Sequence, residues 1–256
     1  MPEHHKEINR QRFATRTEEY IKSIGHAKGP SLARLLELTK PQNHWAVLDV
    51  STGGGHTALT FSPYAHHIVA TDLAPQMLAA AKKFTWDQGA ANIEFKIADA
   101  ENLPFTDGEF DLVTNRIALH HYPNAHRAFF EMARVLKTGG CLALVDNIVP
   151  LDKRTADYIN AFEKLRDPAH HACYSLEQLK KYATDAGLKI IHTESFKKDR
   201  DLDGWADRVG CDAATKNKLR GLLQNASDAA RAFLNPHSKD KRDHFSLEEA
   251  ILIAKK

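Results

Sequence analysis

Cysteine is scarce in this chain. Cys141, Cys173 and Cys211 are three in 256 residues, odd in number and far apart. That argues against a disulfide framework and for a reducing compartment. An excess of one charge is also missing. Lys and Arg number 35 against 33 Asp and Glu, a net +2, so no nucleic-acid-binding footprint is expected. No apolar run approaches the roughly 20 residues that cross a bilayer, so no membrane span is expected. The opening Met1-Pro2-Glu3-His4-His5-Lys6-Glu7 is polar and lacks the apolar core of a signal peptide. Together these absences predict a cytoplasmic protein. Internal repeats and low-complexity tracts are lacking too. What is present is 43% hydrophobic residues, enough for a sizeable core, and 15 His, most of them expected at the surface.

The chain is organised around Ala46-Val47-Leu48-Asp49-Val50-Ser51-Thr52-Gly53-Gly54-Gly55-His56-Thr57. It reads as a buried parallel strand, a glycine turn and the start of a helix. Three successive glycines allow a sharp turn and leave no side chain between backbone and ligand. The helix behind them aims free N–H groups at whatever sits there. Such a turn suits a small, nucleotide-like molecule.

The surrounding pattern alternates strand and helix, with strands expected at 46–50, 67–71, 92–97, 110–114 and 141–146. Helices are expected from His56, from Pro75 to Gly89, and from Asn124, and Lys137-Thr138-Gly139-Gly140 reads as the turn into the fifth strand. Two helices precede them, one over 7–24 with Phe13, Tyr20, Ile21 and Ile24 as its apolar points, and one after Pro30 with Leu32, Leu35 and Leu36. Beyond Pro150, residues 153–166 read as a polar helix. Ser175 and Gln178 form a capping box for another helix, closed by Gly187. Leu188 to Phe196 is a sixth strand, 199–236 is helical, and Phe245 to Ala254 is a last strand.

The expected architecture is therefore α/β: a Rossmann-like doubly wound sheet, mostly parallel with an antiparallel last strand, and helices on both faces. One overall domain divides into an N-terminal helical cap (1–44), a core (45–150) and a C-terminal part (151–256). Insertions at 151–174 and 199–240 would overhang the ligand edge, where parallel strands end. Trp205, Val209, Leu219, Leu222, Leu223, Phe233 and Leu234 form an apolar stripe, read first as core and second as a wall for an apolar acceptor. The mixed run Lys197-Lys198-Asp199-Arg200-Asp201 reads as a solvated face. His170-His171-x-Cys173 lacks the paired spacing of a zinc site, so no metal is expected.

Gly53-x-Gly55-x-x-Ala58 with Asp72 some 20 residues on fits a loose dinucleotide fingerprint. An NAD(P)-dependent oxidoreductase is thus a competing reading, against which stands the absence of a downstream Tyr-x-x-x-Lys pair. A larger set of residues resembles the class I S-adenosylmethionine (SAM) dependent methyltransferases. Val47 to Gly55 resembles their first motif, and Ile68-Val69-Ala70-Thr71-Asp72-Leu73-Ala74-Pro75-Gln76-Met77-Leu78 their second. Ile97 to Phe105, Phe110-Asp111-Leu112-Val113 and Arg134 to Gly140 resemble the later ones. Within that superfamily the resemblance is to the ubiquinone/menaquinone-biosynthesis-like (methyltransferase type 11) group, including bacterial members with a segment like Arg116-Ile117-Ala118-Leu119-His120-His121.

The resemblance implies SAM as cofactor and a small-molecule methyl acceptor. Gly53 and Gly55 would let the backbone pass close to the cofactor. Asp49 would face its ammonium, or else bond the loop's own N–H groups. Asp72, followed by Leu73, would take both ribose hydroxyls, or else cap the helix at Pro75. Met77 would pack on the adenine or in the core. Asp99 would accept the adenine amino group and the Ala100 N–H would donate to a ring nitrogen. Backbone carbonyls at Asn115 and Arg116 would hold the ammonium. His120 or His121 is the candidate base. Ser51 stands where the motif has its first glycine; a negative φ would let it make the turn, with its hydroxyl toward the ligand. A SAM-binding protein without catalysis is the remaining alternative, and oligomeric state is open, a homodimer included.

Overall fold

The computed structural model describes residues 2–15, 17 and 29–256. Helix α1 spans Pro2–Ala14, starting five residues before the expected position; the expected continuation through Tyr20, Ile21 and Ile24 lies outside the described residues. Helix α2 (Pro30–Thr39) carries its proline in the first turn and buries Leu32 and Leu35. Strand and helix then alternate: β1 (Ala46–Val50), α3 (His56–Phe61), β2 (His67–Asp72), α4 (Pro75–Asp87), β3 (Ile93–Ile97), β4 (Phe110–Arg116), α5 (Ala125–Val135) and β5 (Leu136–Ile148). The chain continues through α6 (Lys153–Arg166), α7 (Leu176–Asp185), β6 (Lys189–Asp201), α8 (Leu202–Asp207), α9 (Ala213–Gln224), α10 (Asp228–Leu234), β7 (His237–Lys239) and β8 (Arg242–Lys255).

The strands form one sheet in the order β3-β2-β1-β4-β5-β8-β6, with β7 paired to β8. The pairs from β3 to β5 are parallel, while β8 runs antiparallel to both β5 and β6. The winding direction reverses between β1 and β4, which opens a crevice beyond their carboxyl ends. Alternation along β1 serves two cores. Val47 packs with Leu35 and Phe61 on one face, while Leu48 and Val50 pack with Phe129 and Met132 on the other. Burial on both faces explains why this strand is apolar at every position but Asp49.

A third core holds the late segments together. Phe162 of α6 stacks on Trp205 of α8 at 5.2 Å and meets Phe245 of β8 edge-on, with Leu219, Leu223 and Leu234 around them. The apolar stripe is thus mostly core, and each buried large side chain contributes about 1.5–3 kcal/mol.

Three expectations about the later part of the chain are corrected by the structure. Lys137–Gly140 is not a turn before β5 but a bulge within it: Phe110 pairs with Leu136, then Leu112 with Cys141. Strand β6 runs on to Asp201, because β8 pairs with it as far as His244. Residues 202–234 are three separate helices, capped by the side chains of Asp201, Asp212 and Ser227.

Candidate active site

A cavity opens beyond the carboxyl ends of β1 and β4, lined by the Ser51–Gly54 loop, Asp72, Leu73, Asp99, Ala100, Arg116, His120 and His121. The two late insertions reach it through Glu163, Asp167, Trp205 and Val209, and α1 through Lys6, Asn9 and Phe13.

The glycine loop contains two left-handed glycines with different duties. Gly53 has φ +52, and a Cβ added there meets nothing within 4 Å. Its backbone therefore lies bare against the cavity. Gly55 has φ +82 and lies off the cavity; a Cβ there would approach Thr85 Cγ2 to 3.0 Å and Ala81 Cβ to 3.2 Å. Gly55 is required for close packing of the loop on α4, not for ligand approach. Ser51 also departs from expectation, for its φ is +55. It keeps the left-handed conformation a glycine would adopt. Its Oγ shares a hydrogen bond of 2.6 Å with Tyr122 Oη, which also accepts from Asn115 Nδ2 at 2.7 Å.

Four expected residues sit behind the cavity wall. The Asp49 carboxylate, 2% exposed, accepts from the hydroxyls of Thr52 at 2.6 Å and Thr114 at 2.7 Å. It fixes the loop, and burial pushes its carboxyl up despite those two bonds. Met77 is fully buried in the core. The Asn115 side chain, also fully buried, donates to the Val50 carbonyl at 3.0 Å and to Tyr122. Gly55 is the fourth.

Asp72 does line the cavity and is half-buried. One carboxylate oxygen accepts from Gly53 N at 3.1 Å and the other from Ala74 N at 3.0 Å, so it clamps the loop to the start of α4. Each oxygen keeps capacity for a further donor. Asp99 lies across from it. Lys6 of α1 reaches Asp99 at 2.7 Å and Glu101 at 2.8 Å, closing this end of the cavity. Burial works against the Lys6 charge, but the two carboxylates outweigh it and raise its pKa.

His120 and His121 occupy a one-turn helix at 119–121, with ring centroids 4.1 Å apart and quite different surroundings. His120 Nδ1–H donates to Asp146 Oδ1 at 2.6 Å, and its backbone N–H donates to Oδ2 at 3.0 Å. That leaves Nε2 as the ring nitrogen without a partner in this pair. Burial disfavours the imidazolium, yet the attraction and hydrogen bond of Asp146 outweigh it and raise the pKa above its ordinary value. His121 Nδ1–H donates to the Ala169 carbonyl at 2.8 Å. Burial, then the neighbouring His120, push its pKa down to about 3, so it stays neutral. Only His120 carries the carboxylate partner of a general base.

Three further features were not expected at the site. Asp146 ends the apolar run of β5, and its partner is 26 residues away. Ile117 lines the cavity with φ +55, a conformation that costs a β-branched residue about 1–3 kcal/mol. Lys198 and Arg200 also line the cavity, which corrects the reading of 197–201 as a solvated face. On a strand, alternate residues face alternate sides, so Lys198 and Arg200 turn inward while Lys197 and Asp199 stay exposed.

Residues 48–144 match a protein family described as a methyltransferase domain. YcgJ, an uncharacterized methyltransferase of Bacillus subtilis strain 168, is 33% identical over 223 residues, covering 87% of this chain and 88% of YcgJ. The crystal structure of YcgJ matches at a TM-score of 0.85 and 31% identity, over 88% of this chain and 97% of that one. A ubiquinone/menaquinone biosynthesis C-methyltransferase, UbiE of Bartonella henselae, is 32% identical over 189 residues, 70% of this chain and 69% of that protein. Phosphoethanolamine N-methyltransferase 2 of Haemonchus contortus, solved in complex with S-adenosyl-L-methionine, matches at a TM-score of 0.63 over 95% of this chain and 57% of that one; at 18% identity the likeness is one of fold.

Proposed function

The chain belongs to the methyltransferase domain family, and from that premise we propose that it transfers a methyl group from SAM to a small-molecule acceptor, with His120 as the base. The observation that carries this reading is one cavity bounded by the bare Gly53 backbone, Asp72 and Asp99 on one side and the His120–Asp146 pair on another.

The residues present fit the cofactor. Gly53 offers backbone with open space where a Cβ would stand. Asp72 offers a carboxylate with spare acceptor capacity for paired hydroxyls. Asp99 and Ala100 offer an acceptor and an N–H at the neighbouring strand end. When bound, SAM supplies a methyl group already activated by its sulfonium. The chain's own task is then to position the acceptor, exclude water and manage one proton. Lys6, Asn9 and Phe13 cover the cavity from α1 and help exclude water. Asn9 Nδ2 donates to the His121 carbonyl at 2.9 Å, and Arg12 ion-pairs with Asp167 at 2.6 Å, so the cover is tied to the opposite wall. His120 Nε2 takes the proton of an acceptor hydroxyl or amine. Asp146 holds the ring with Nδ1 protonated and stabilises the imidazolium that results.

Equilibrium binding tests the cofactor half, and single-turnover methyl transfer in wild type and His120→Ala tests the base. Cofactor binding with equal rates in the two proteins would remove His120 from the reaction.

A further inference from the structure

The part of the cavity wall formed by β5, α6, β6 and β8 carries polar atoms that nothing in the fold satisfies. Among the described residues, Arg200 Nε, Glu163 Oε1, Glu249 Oε1 and Asn147 Oδ1 are buried without a hydrogen-bond partner. All four residues line the cavity. Buried polar groups in a native fold are nearly always bonded, so a cluster of exceptions at a cavity wall calls for a ligand. Arg200 Nε is the donor among them and the three oxygens are acceptors, so that ligand must offer an acceptor to Arg200 and hydroxyl or amine hydrogens to the oxygens.

Most charges of this wall are matched within the fold, and Arg200 is the exception. Strand pairing sets Lys198 against Leu247 and Arg200 against Phe245, which brings both cations to the face that Glu249 shares. Lys198 forms an ion pair with Glu249. Asp167 is matched by Arg12. Arg166 lies over the Trp205 ring at 4.5 Å and donates to the Trp205 carbonyl at 3.1 Å. Arg200 has no ion pair with any described residue, although Glu163 and Glu249 act on it at longer range.

We propose that this wall binds the oxyanion group of a small anionic acceptor, a carboxylate or phosphate, with Arg200 as its anchor. The inference rests on the methyltransferase reading above and names the acceptor class for that same cavity. A guanidinium presents a planar fork that pairs two oxygens at once, which fixes orientation as well as position. Burial pushes the Glu163 carboxyl up, so it is the member of this wall able to donate a proton to a bound oxyanion rather than repel it. His120 lines the same cavity as Arg200 and Glu163. The anchor and the base therefore flank one space, and an acceptor held by its oxyanion presents the rest of its body to His120. Leu247, Trp205 and Val209 line the room between with apolar surface.

The test is calorimetry on the full chain with matched probes: 4-hydroxybenzoate and 3-hydroxybutyrate, their amides, and the corresponding phosphates, each with and without S-adenosylhomocysteine. At least one anion is expected to bind tenfold or more tightly than its amide, and the carboxylate and phosphate arms tell which oxyanion the wall prefers. Arg200→Gln should abolish that preference, a loss of about tenfold to a hundredfold, while S-adenosylhomocysteine binds as in wild type. Arg200→Lys should retain part of it. No anion outbinding its amide in the wild-type protein overturns the proposal, as does a preference that survives in Arg200→Gln. Failure of S-adenosylhomocysteine to bind, with the anion preference intact, counts instead against the cofactor reading.

Discussion

Replacing Ser51 separately by glycine and by alanine isolates the backbone strain in the glycine loop. Both replacements delete the hydroxyl and its 2.6 Å hydrogen bond to Tyr122. That common loss is worth about 0.5–1.5 kcal/mol, softened because Tyr122 keeps Asn115 Nδ2 as a partner at 2.7 Å. What separates the two variants is φ +55, which alanine must hold with a Cβ and glycine without one. The left-handed conformation costs an L-residue about 1–2 kcal/mol. Glycine's greater freedom in the unfolded chain returns about 0.5–1 kcal/mol of that. Ser51→Gly should therefore exceed Ser51→Ala in stability by about 0.5–1 kcal/mol, the reverse of the usual order. In urea titrations with slopes of about 2–3 kcal/mol/M the midpoints should differ by about 0.2–0.5 M. Alanine equal to or more stable than glycine would refute a left-handed Ser51 and with it the loop geometry described above.

Further outcomes follow from the same geometry. Asp72→Ala should weaken S-adenosylhomocysteine binding by about 1–3 kcal/mol if the carboxylate takes a charged hydrogen bond; unchanged affinity in a titration would confine Asp72 to clamping Gly53 and Ala74. His120→Ala should lower turnover by about 10²–10⁴-fold while leaving cofactor affinity intact. Because Asp146 raises the His120 pKa and the base must be neutral, activity should rise with pH through an inflection above 6.5. Asp146→Asn should move that inflection to lower pH, and an unmoved profile would deny the pair its role. His121 bears on stability. Its folded pKa is lowered to about 3 from 6.5, so between those values the unfolded chain binds the proton and the folded chain does not. Its contribution should thus fall as pH drops below 6.5, by up to about 1.4 kcal/mol per pH unit. His120, raised, acts in the opposite sense, its contribution fading as pH rises through its folded value. Denaturation of His121→Gln across pH 4–7 should show a shallower acid loss than wild type, and an identical slope would contradict the buried neutral ring.

The parallel half of the sheet was legible because strands buried on both faces leave mostly apolar stretches such as Ala46 to Val50, broken only by Asp49 and followed by turn chemistry. The order Asp49, Asp72, Asp99 along three strand ends was legible for the same reason. Which carboxylate faces the cavity was not. Asp49 turns to Thr114 on the neighbouring strand, 65 positions away, and only strand order brings those two together. The antiparallel end was harder to read. Lys197 to Asp201 looks alike whether its alternate residues meet solvent or a cavity, and pairing with β8 decides. His120 was visible as a candidate base, but the preference over its neighbour comes from Asp146 at the far end of β5. Ile117 gave no signal, because a β-branched residue predicts the opposite backbone.

The most direct test of the account is titration calorimetry of the purified chain with S-adenosylhomocysteine and, separately, with NADH. Saturable one-to-one binding of S-adenosylhomocysteine and none of NADH is the predicted result. No heat at high micromolar S-adenosylhomocysteine, or binding of NADH in its place, would contradict it.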